Sequence, residues 1–303
     1  MTLRLRRWHL SWAVLSSALL WMVPIGCSAQ DAPAPGVPLI VSGEPWSDLA
    51  AAQVRRFAQG DVVYLGETHD SVADHAAQLA IIEAIYQENP NIAIALEMFQ
   101  RPFQPVLDRY LAGEISEADL IAQTEYAQRW GFPWEFYAPI VRFAQAKQIP
   151  LLALNAPSEV VRQVSRSGLD SLTAEDFSYI PARGDIDTSN ADYQAWIQDV
   201  FSGHGSHGSF DFENFFAAQV VWDETMAEAI ATFKQDHPDT VVVVLAGSGH
   251  VVYGYGIPDR VARRLGRDLQ QTLVLLNYSA DRAANSSEAI ADILWYNTPE
   301  SPE

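Results

Sequence analysis

The sequence predicts an α/β fold, a mainly parallel central sheet covered by helices. Three observations lead there. Short, continuous apolar runs rich in β-branched residues recur at wide spacing, at 62–65, 92–96, 151–154, 240–246 and 272–276. Runs of this kind suit strands buried on both faces. Helical patterns separate them, and alternating strands and helices argue for parallel pairing. The apolar fraction of 49% is ample for the core such a sheet needs.

The elements follow in order. Residues 1–29 read as a signal peptide: Arg4, Arg6 and Arg7 precede an uncharged apolar run at 10–23, too short for a confident membrane span. Cleavage after Ala29 gives a soluble exported protein. Cleavage before Cys27, in Ile25-Gly26-Cys27, leaves a lipid-bearing cysteine and a membrane-anchored lipoprotein. Residues 30–43, rich in Ala, Pro and Gly, read as a linker, and 44–303 as a single domain. Within it, 70–88 keeps Leu79, Ile82 and Tyr86 at helical spacing, Ser116 caps a segment running to Trp130, and 137–147 leads into the third strand. Residues 168–209 carry frequent Gly, Ser and Asp and read as a partly irregular excursion that could form a lid or half-site. A long helix over 210–234 returns the chain to the sheet.

Cys27 is the only cysteine, which excludes a disulfide framework and thiolate metal sites. The formal net charge is −19. Such a surface repels nucleic acid and anionic lipid, so a membrane contact runs only through an anchor at Cys27.

Polar residues follow every strand: Glu67 and His69 the first, Glu97 the second, Asn155 the third, His250 the fourth, Asn277-Tyr278 the fifth. In open α/β sheets the ligand crevice lies beyond the carboxyl ends of the strands. Glu67 and His69, two apart on an extended strand end, project to one side. Two carboxylates and two imidazoles, Glu67, His69, Glu97 and His250, suit acid–base chemistry or a divalent ion such as Zn²⁺, Mn²⁺ or Fe²⁺. Gly247-x-Gly249 admits a close backbone approach but lacks the third glycine of a dinucleotide fingerprint. Gln219 and Asp223 share a helical stripe with Phe212, Phe215, Phe216 and Met226; buried polar groups need partners, and the strand-end cluster is one candidate. Asn155 either orients a ligand or closes a turn. His204 and His207 reach a ligand from a glycine loop or sit idle at the surface, and His237 at a helix end reads as structural. Trp130, Phe132, Trp134, Phe136 and Tyr137 crowd one segment and read as core.

Gly-Glu67-Thr-His69, Ala-Leu-Glu97-Met-Phe, Ala-Leu-Asn155-Ala-Pro, Gln219-x-x-Trp-Asp223-x-x-Met-Ala and Ala-Gly-Ser-Gly-His250 occur in this order. Together they resemble the ChaN-like haem-binding uptake family over residues 62–264. The resemblance implies an exported haem- or iron-binding protein in iron acquisition, with haem held by tyrosine and assisted by histidine at a homodimer contact. Tyr193, Tyr253, Tyr255, His204 and His207 are then haem candidates, with Asn155, Gln219 and Asp223 as further binding residues. The wider superfamily also holds Tiki metalloproteases and erythromycin-esterase-like hydrolases. The alternative it implies is a metal-dependent hydrolase using the strand-end Glu/His cluster.

Overall fold

The computed structural model describes residues 38–42, 47–203, 211–279 and 289–297. The elements run β1 (Leu39–Ser42), α1 (Asp48–Phe57), β2 (Val62–Glu67), α2 (Val72–Glu88), β3 (Ile92–Gln100), α3 (Gln104–Leu111), α4 (Glu117–Gln123), α5 (Tyr126–Arg129), α6 (Trp134–Lys147), β4 (Leu151–Asn155), α7 (Ser158–Ser167), α8 (Ala191–Gly203), α9 (Phe212–Asp236), β5 (Val241–Gly247), α10 (Ile257–Leu265), β6 (Gln271–Leu276) and β7 (Ile293–Tyr296). The strands form one 7-stranded sheet in the order β1-β7-β6-β2-β5-β3-β4, every pairing parallel. The expected α/β fold with a parallel sheet is therefore the observed one.

The apolar runs are continuous because both faces of the central strands are covered. Alternate residues of each strand go to opposite layers. Val63, Leu65, Ile94, Val243 and Leu245 pack with Phe57 of α1, Ile81 and Ile85 of α2 and Ile140 of α6. Val62, Tyr64, Val242, Val244 and Ala246 pack with Met226 and Ile230 of α9 and Val261 of α10. β2, β3 and β5 are buried at every position, so the hydrophobic stabilisation concentrates on the middle of the sheet.

The structure departs from the sequence-based expectation in two places. The sheet begins inside the segment expected to be a linker: Leu39–Ser42 pairs with β7, so 30–43 is not linker throughout. Both strands are only four residues long, and each lies at or beside an edge, where the pattern is weakest. The helix expected from Ser116 to Trp130 is two. Ser116 does cap α4 through a reciprocal capping box with Asp119. Glu125, at φ 51°, then takes the left-handed conformation and breaks the run before α5. The excursion keeps its expected place between α7 and α9, and its described part, 168–203, is packed on the core. Three single-turn 3₁₀ segments lead to α8, and Leu169, Ile180, Ile186, Tyr193 and Ile197 bury into a third apolar cluster with α7 and α9.

The edge strand β4 is closed by a side chain. The amide of Gln104 donates to Leu151 O at 2.8 Å and accepts from Ala153 N at 2.7 Å. It supplies what a neighbouring strand would, and so blunts an edge open to unwanted pairing.

Candidate functional site at the strand ends

The site arises where two strands part. β5 lies between β2 and β3, with Glu67 opposite Gly247 and Leu96 opposite Leu245. Beyond Leu96 the pairing of β3 with β5 ends, and its register with β4 shifts between Leu96 and Gln100. The freed Gly247 N–H is taken up by a side chain, donating to Glu97 Oε2 at 2.7 Å. Glu97 is therefore turned into the gap at the carboxyl end of the sheet.

Two carboxylate–imidazole units occupy this gap. In the first, Glu67 is buried and accepts from three donors. Tyr137 O–H donates at 2.5 Å, Gln78 Nε2 at 2.6 Å and His69 Nδ1 at 2.8 Å. With Nδ1 occupied, the other nitrogen of His69 points away from the carboxylate. The ring lies between Trp130 and Phe132, at centroid distances of 4.8 and 5.0 Å, and its side chain is 27% exposed. It also rests on Gly247, where a Cβ would come within 2.9 Å of ring Cε1 and Nε2. Only glycine at 247 leaves room for the ring.

In the second unit His250 Nε2 lies 3.4 Å from Glu97 Oε1 and Nδ1 lies 2.7 Å from Asp223 Oδ1. Asp223 Oδ2 accepts from Tyr193 O–H at 2.8 Å, and Gln219 Nε2 sits 3.2 Å from the same phenol and 3.1 Å from His250 Nδ1. Burial by itself disfavours the imidazolium of His250. The charges of Glu97 and Asp223 and their hydrogen bonds override it and hold the group up to about 10. Burial likewise pushes the Glu97 carboxyl up, and the His250 charge and hydrogen bond, with His69 and Gly247 N–H, bring it down to about 2. For His69, burial lowers the pKa but the Glu67 hydrogen bond and the Glu97 charge outweigh it, so the shift is upward.

The structure thus brings Glu67, His69, Glu97 and His250 to the carboxyl ends of neighbouring strands, and Gln219 and Asp223 reach them from α9. Asn155 joins them from β4: its Nδ2 donates to Glu97 O at 2.9 Å, while its buried Oδ1 has no hydrogen-bond partner. Asn277 does not, because its amide turns to Asp74 Oδ1 at the start of α2.

The single four-ligand metal centre is not what is built. Among the described residues, no three of His, Cys, Asp and Glu are grouped so as to hold an ion. The physical reason is that each carboxylate already accepts from an imidazole and from neutral donors, Glu97 and Asp223 sharing His250.

Tyr193 is fully buried with its phenol committed to Asp223, so it is a support for His250 rather than an exposed haem ligand. Tyr253 and Tyr255 stack on each other at 5.2 Å and are half-buried. His204 and His207 lie outside the described residues.

Gln78, Tyr137 and His75 were missed. His75 and Gln78 sit on the buried face of α2, His75 Nε2 against His69 O at 3.0 Å. Three polar residues, Asp74, His75 and Gln78, among the buried positions of this helix were the available signal.

A family profile described as haem-binding uptake, Tiki superfamily, ChaN, matches residues 53–261. The chain belongs to this family. Its fold is similar to that of ChaN of Campylobacter jejuni, a structure of cofacial heme binding, with a TM-score of 0.60 and 20% identity, covering 75% of this chain and 86% of that one. It is 26% identical over 292 residues to Protein RETICULATA-RELATED 5, chloroplastic, of Arabidopsis thaliana, covering 88% of this chain. The chain spans 37% of the length of that relative. An erythromycin esterase, EreC, in its open conformation, matches with a TM-score of 0.43 and 14% identity, covering 74% of this chain and 71% of that one.

The Glu97–His250 pair sets a pH signature. His250 is raised above its usual 6.5, so its contribution is complete below 6.5 and is lost as pH rises through about 10. Glu97 is lowered from 4.5, so its contribution is complete above 4.5 and is lost as pH falls through about 2. The unfolding free energy of the native chain minus that of Glu97→Gln/His250→Gln is expected to be greatest between those two unfolded values, pH 4.5 to 6.5. Denaturant titrations across pH measure it, and a pH-independent difference refutes the pairing. His250→Ala alone, which strands two buried carboxylates, is expected to cost about 3–5 kcal/mol.

Proposed function

We propose that this chain is a haem-binding protein working outside the cytoplasm, in iron or haem acquisition. The family match over residues 53–261, which spans both the sheet and the strand-end site, carries this reading. When bound, haem supplies the iron; the chain's part is to offer an apolar slot and one axial ligand. The Campylobacter jejuni relative is described by its cofacial heme binding, and a homodimer of this chain would let two haems meet in that way.

The test is titration of the purified chain with haemin, followed in the Soret region. Binding at micromolar or tighter Kd is expected, roughly −8 kcal/mol. No spectral change at protein concentrations well above that range removes the proposal. Location is tested separately: mass spectrometry of protein from the native host should find the N-terminus at Cys27, lipid-modified, or just after Ala29. An intact Met1 refutes export by this route.

The His69 geometry favours a second reading, hydrolysis by acid–base chemistry at the strand ends. A buried carboxylate holds Nδ1 and leaves the partly exposed far side of the ring for a substrate proton, the arrangement a general base requires. Metal dependence is no part of this reading, since no step in it needs an ion. Hydrolysis of a panel of activated esters should fall by roughly 10²–10⁴ in His69→Asn. Equal rates in the native chain and the variant exclude His69 as the base.

A further inference from the structure

Among the residues gathered at the strand ends, only His69 meets solvent to any extent. Glu67, Glu97, Asn155, Gln219, Asp223 and His250 are each at most 9% exposed. A ligand that is to reach them must displace part of the wall. The wall over His69 is the connection 130–133 between α5 and α6, which sets Trp130 and Phe132 against the imidazole at centroid distances of 4.8 and 5.0 Å. With Nδ1 held by Glu67 and Nε2 resting over Gly247, both ring nitrogens are screened while this wall stands.

We propose that the connection 130–133 is a gate to the strand-end crevice, pivoting at Gly131 and latched by Arg129. The proposal deepens the hydrolysis reading and rests on it only for what the gate admits. Three observations support it. First, the backbone of the connection is held by little. Among the described residues the amides of Gly131 and Phe132 have no backbone partner, and Pro133 has no N–H to give. Second, Gly131 sits at φ 87°, yet a Cβ there would meet nothing within 4 Å. Crowding therefore does not explain the glycine; the left-handed backbone does, and it lies in open space where a pivot can turn. Third, one side chain ties the connection to the far side of the crevice. Arg129, the last residue of α5, donates from Nη1 to Gln100 Oε1 at the end of β3 at 2.9 Å. The same nitrogen lies 2.9 and 3.0 Å from the two Glu159 carboxylate oxygens and 3.3 Å from Ser158 Oγ, in the first turn of α7. Its guanidinium lies over the Phe103 ring at 5.2 Å.

The latch is built to hold without sealing. The Glu159 side chain is 58% exposed, and an ion pair with so exposed a partner is worth little in water. Opening carries Trp130 and Phe132 away from His69, uncovers Nε2 and leads to Glu97 and His250 behind it. Glu67 keeps Nδ1 throughout, because its donors come from α2 and α6 and not from the gate. Arg129 is thus a positioning residue: it acts on His69 through the two aromatic rings that cover it. Closure of this kind both admits a substrate and shuts water out.

Carbethoxylation of the full chain by diethyl pyrocarbonate, followed peptide by peptide by mass spectrometry, reads the gate, since the reagent must reach a ring nitrogen. Exposed His237 is the internal control. Arg129→Ala removes the latch and Gly131→Ala strains the pivot. In each the rate at His69 should rise at least ~5-fold as the open state gains population, with the rate at His237 unchanged. Arg129→Lys, which keeps the charge and loses the fork, should fall between. Circular dichroism checks the fold, and Gly131→Ala, at an open position, decides if Arg129→Ala does not fold. A His69 rate equal to the native one in both variants overturns the gate. A parallel rise at His237 does so too, because it reports general loosening. Ester hydrolysis by the same proteins separates the two readings. Faster labelling in the variants with no hydrolysis by the native chain keeps the gate and removes the hydrolysis reading. Hydrolysis that needs His69, with labelling unmoved, does the reverse.

Discussion

The parting of β3 from β5 after Leu96 is the constraint on which the functional end of this protein depends. A parallel ladder satisfies every backbone group while it lasts, and its end leaves orphans that must find partners. Here the orphan is Gly247 N–H and the partner is the Glu97 carboxylate. A charge is thereby drawn into a buried gap, and it needs a counter-charge. His250 provides one, and its second nitrogen draws in Asp223 from α9. Tyr193 and Gln219 then satisfy what Asp223 leaves open. Each buried polar residue is the answer to the previous one, and the chain of partners ties the sheet to α8 and α9.

The same economy explains why the site has two imidazoles with different surroundings. His250 lies between two carboxylates and is held as a cation by them. His69 has one carboxylate, two aromatic neighbours and a partly open face. Burial lowers both imidazoles, and the carboxylates beside each override it, so both are raised. Glu67 is held by hydrogen bonds rather than by a second cation, since Tyr137 and Gln78 supply two of its three close donors. That leaves its effect on His69 one of orientation: it holds the ring by one nitrogen and presents the other.

At the far edge a different solution appears. The outer groups of β4 are closed by one glutamine, and three helical or turn elements rise around it to make the groove. The strand-end crevice is polar and, Asn155 Oδ1 apart, satisfied within itself; the edge groove mixes Leu and Phe side chains with Arg101, Asp108 and Asp236. The molecule keeps the two apart at opposite ends of its strands.

Much of this was legible before any coordinates. Runs such as 241–247 are apolar at every position, which only a strand covered on both faces explains, and so the parallel sheet could be read. Polar residues directly after such runs could be assigned to the carboxyl ends, which brought Glu67, His69, Glu97 and His250 into one hypothesis. The stripe of α9 carried Gln219 and Asp223 toward it because helical spacing is local. Strand order was not local. That β5 enters between β2 and β3 decides which carboxylate meets which imidazole, and it turned one imagined metal cluster into two hydrogen-bonded units. The terminal strands were hidden because four-residue runs at an edge have little pattern, and Tyr193 was misjudged because burial is a property of packing, not of residue type. The Gln104 cap and the groove beside it join residues from α3, β4, the excursion and α9, distant in sequence, and only the tertiary structure could place them against one another.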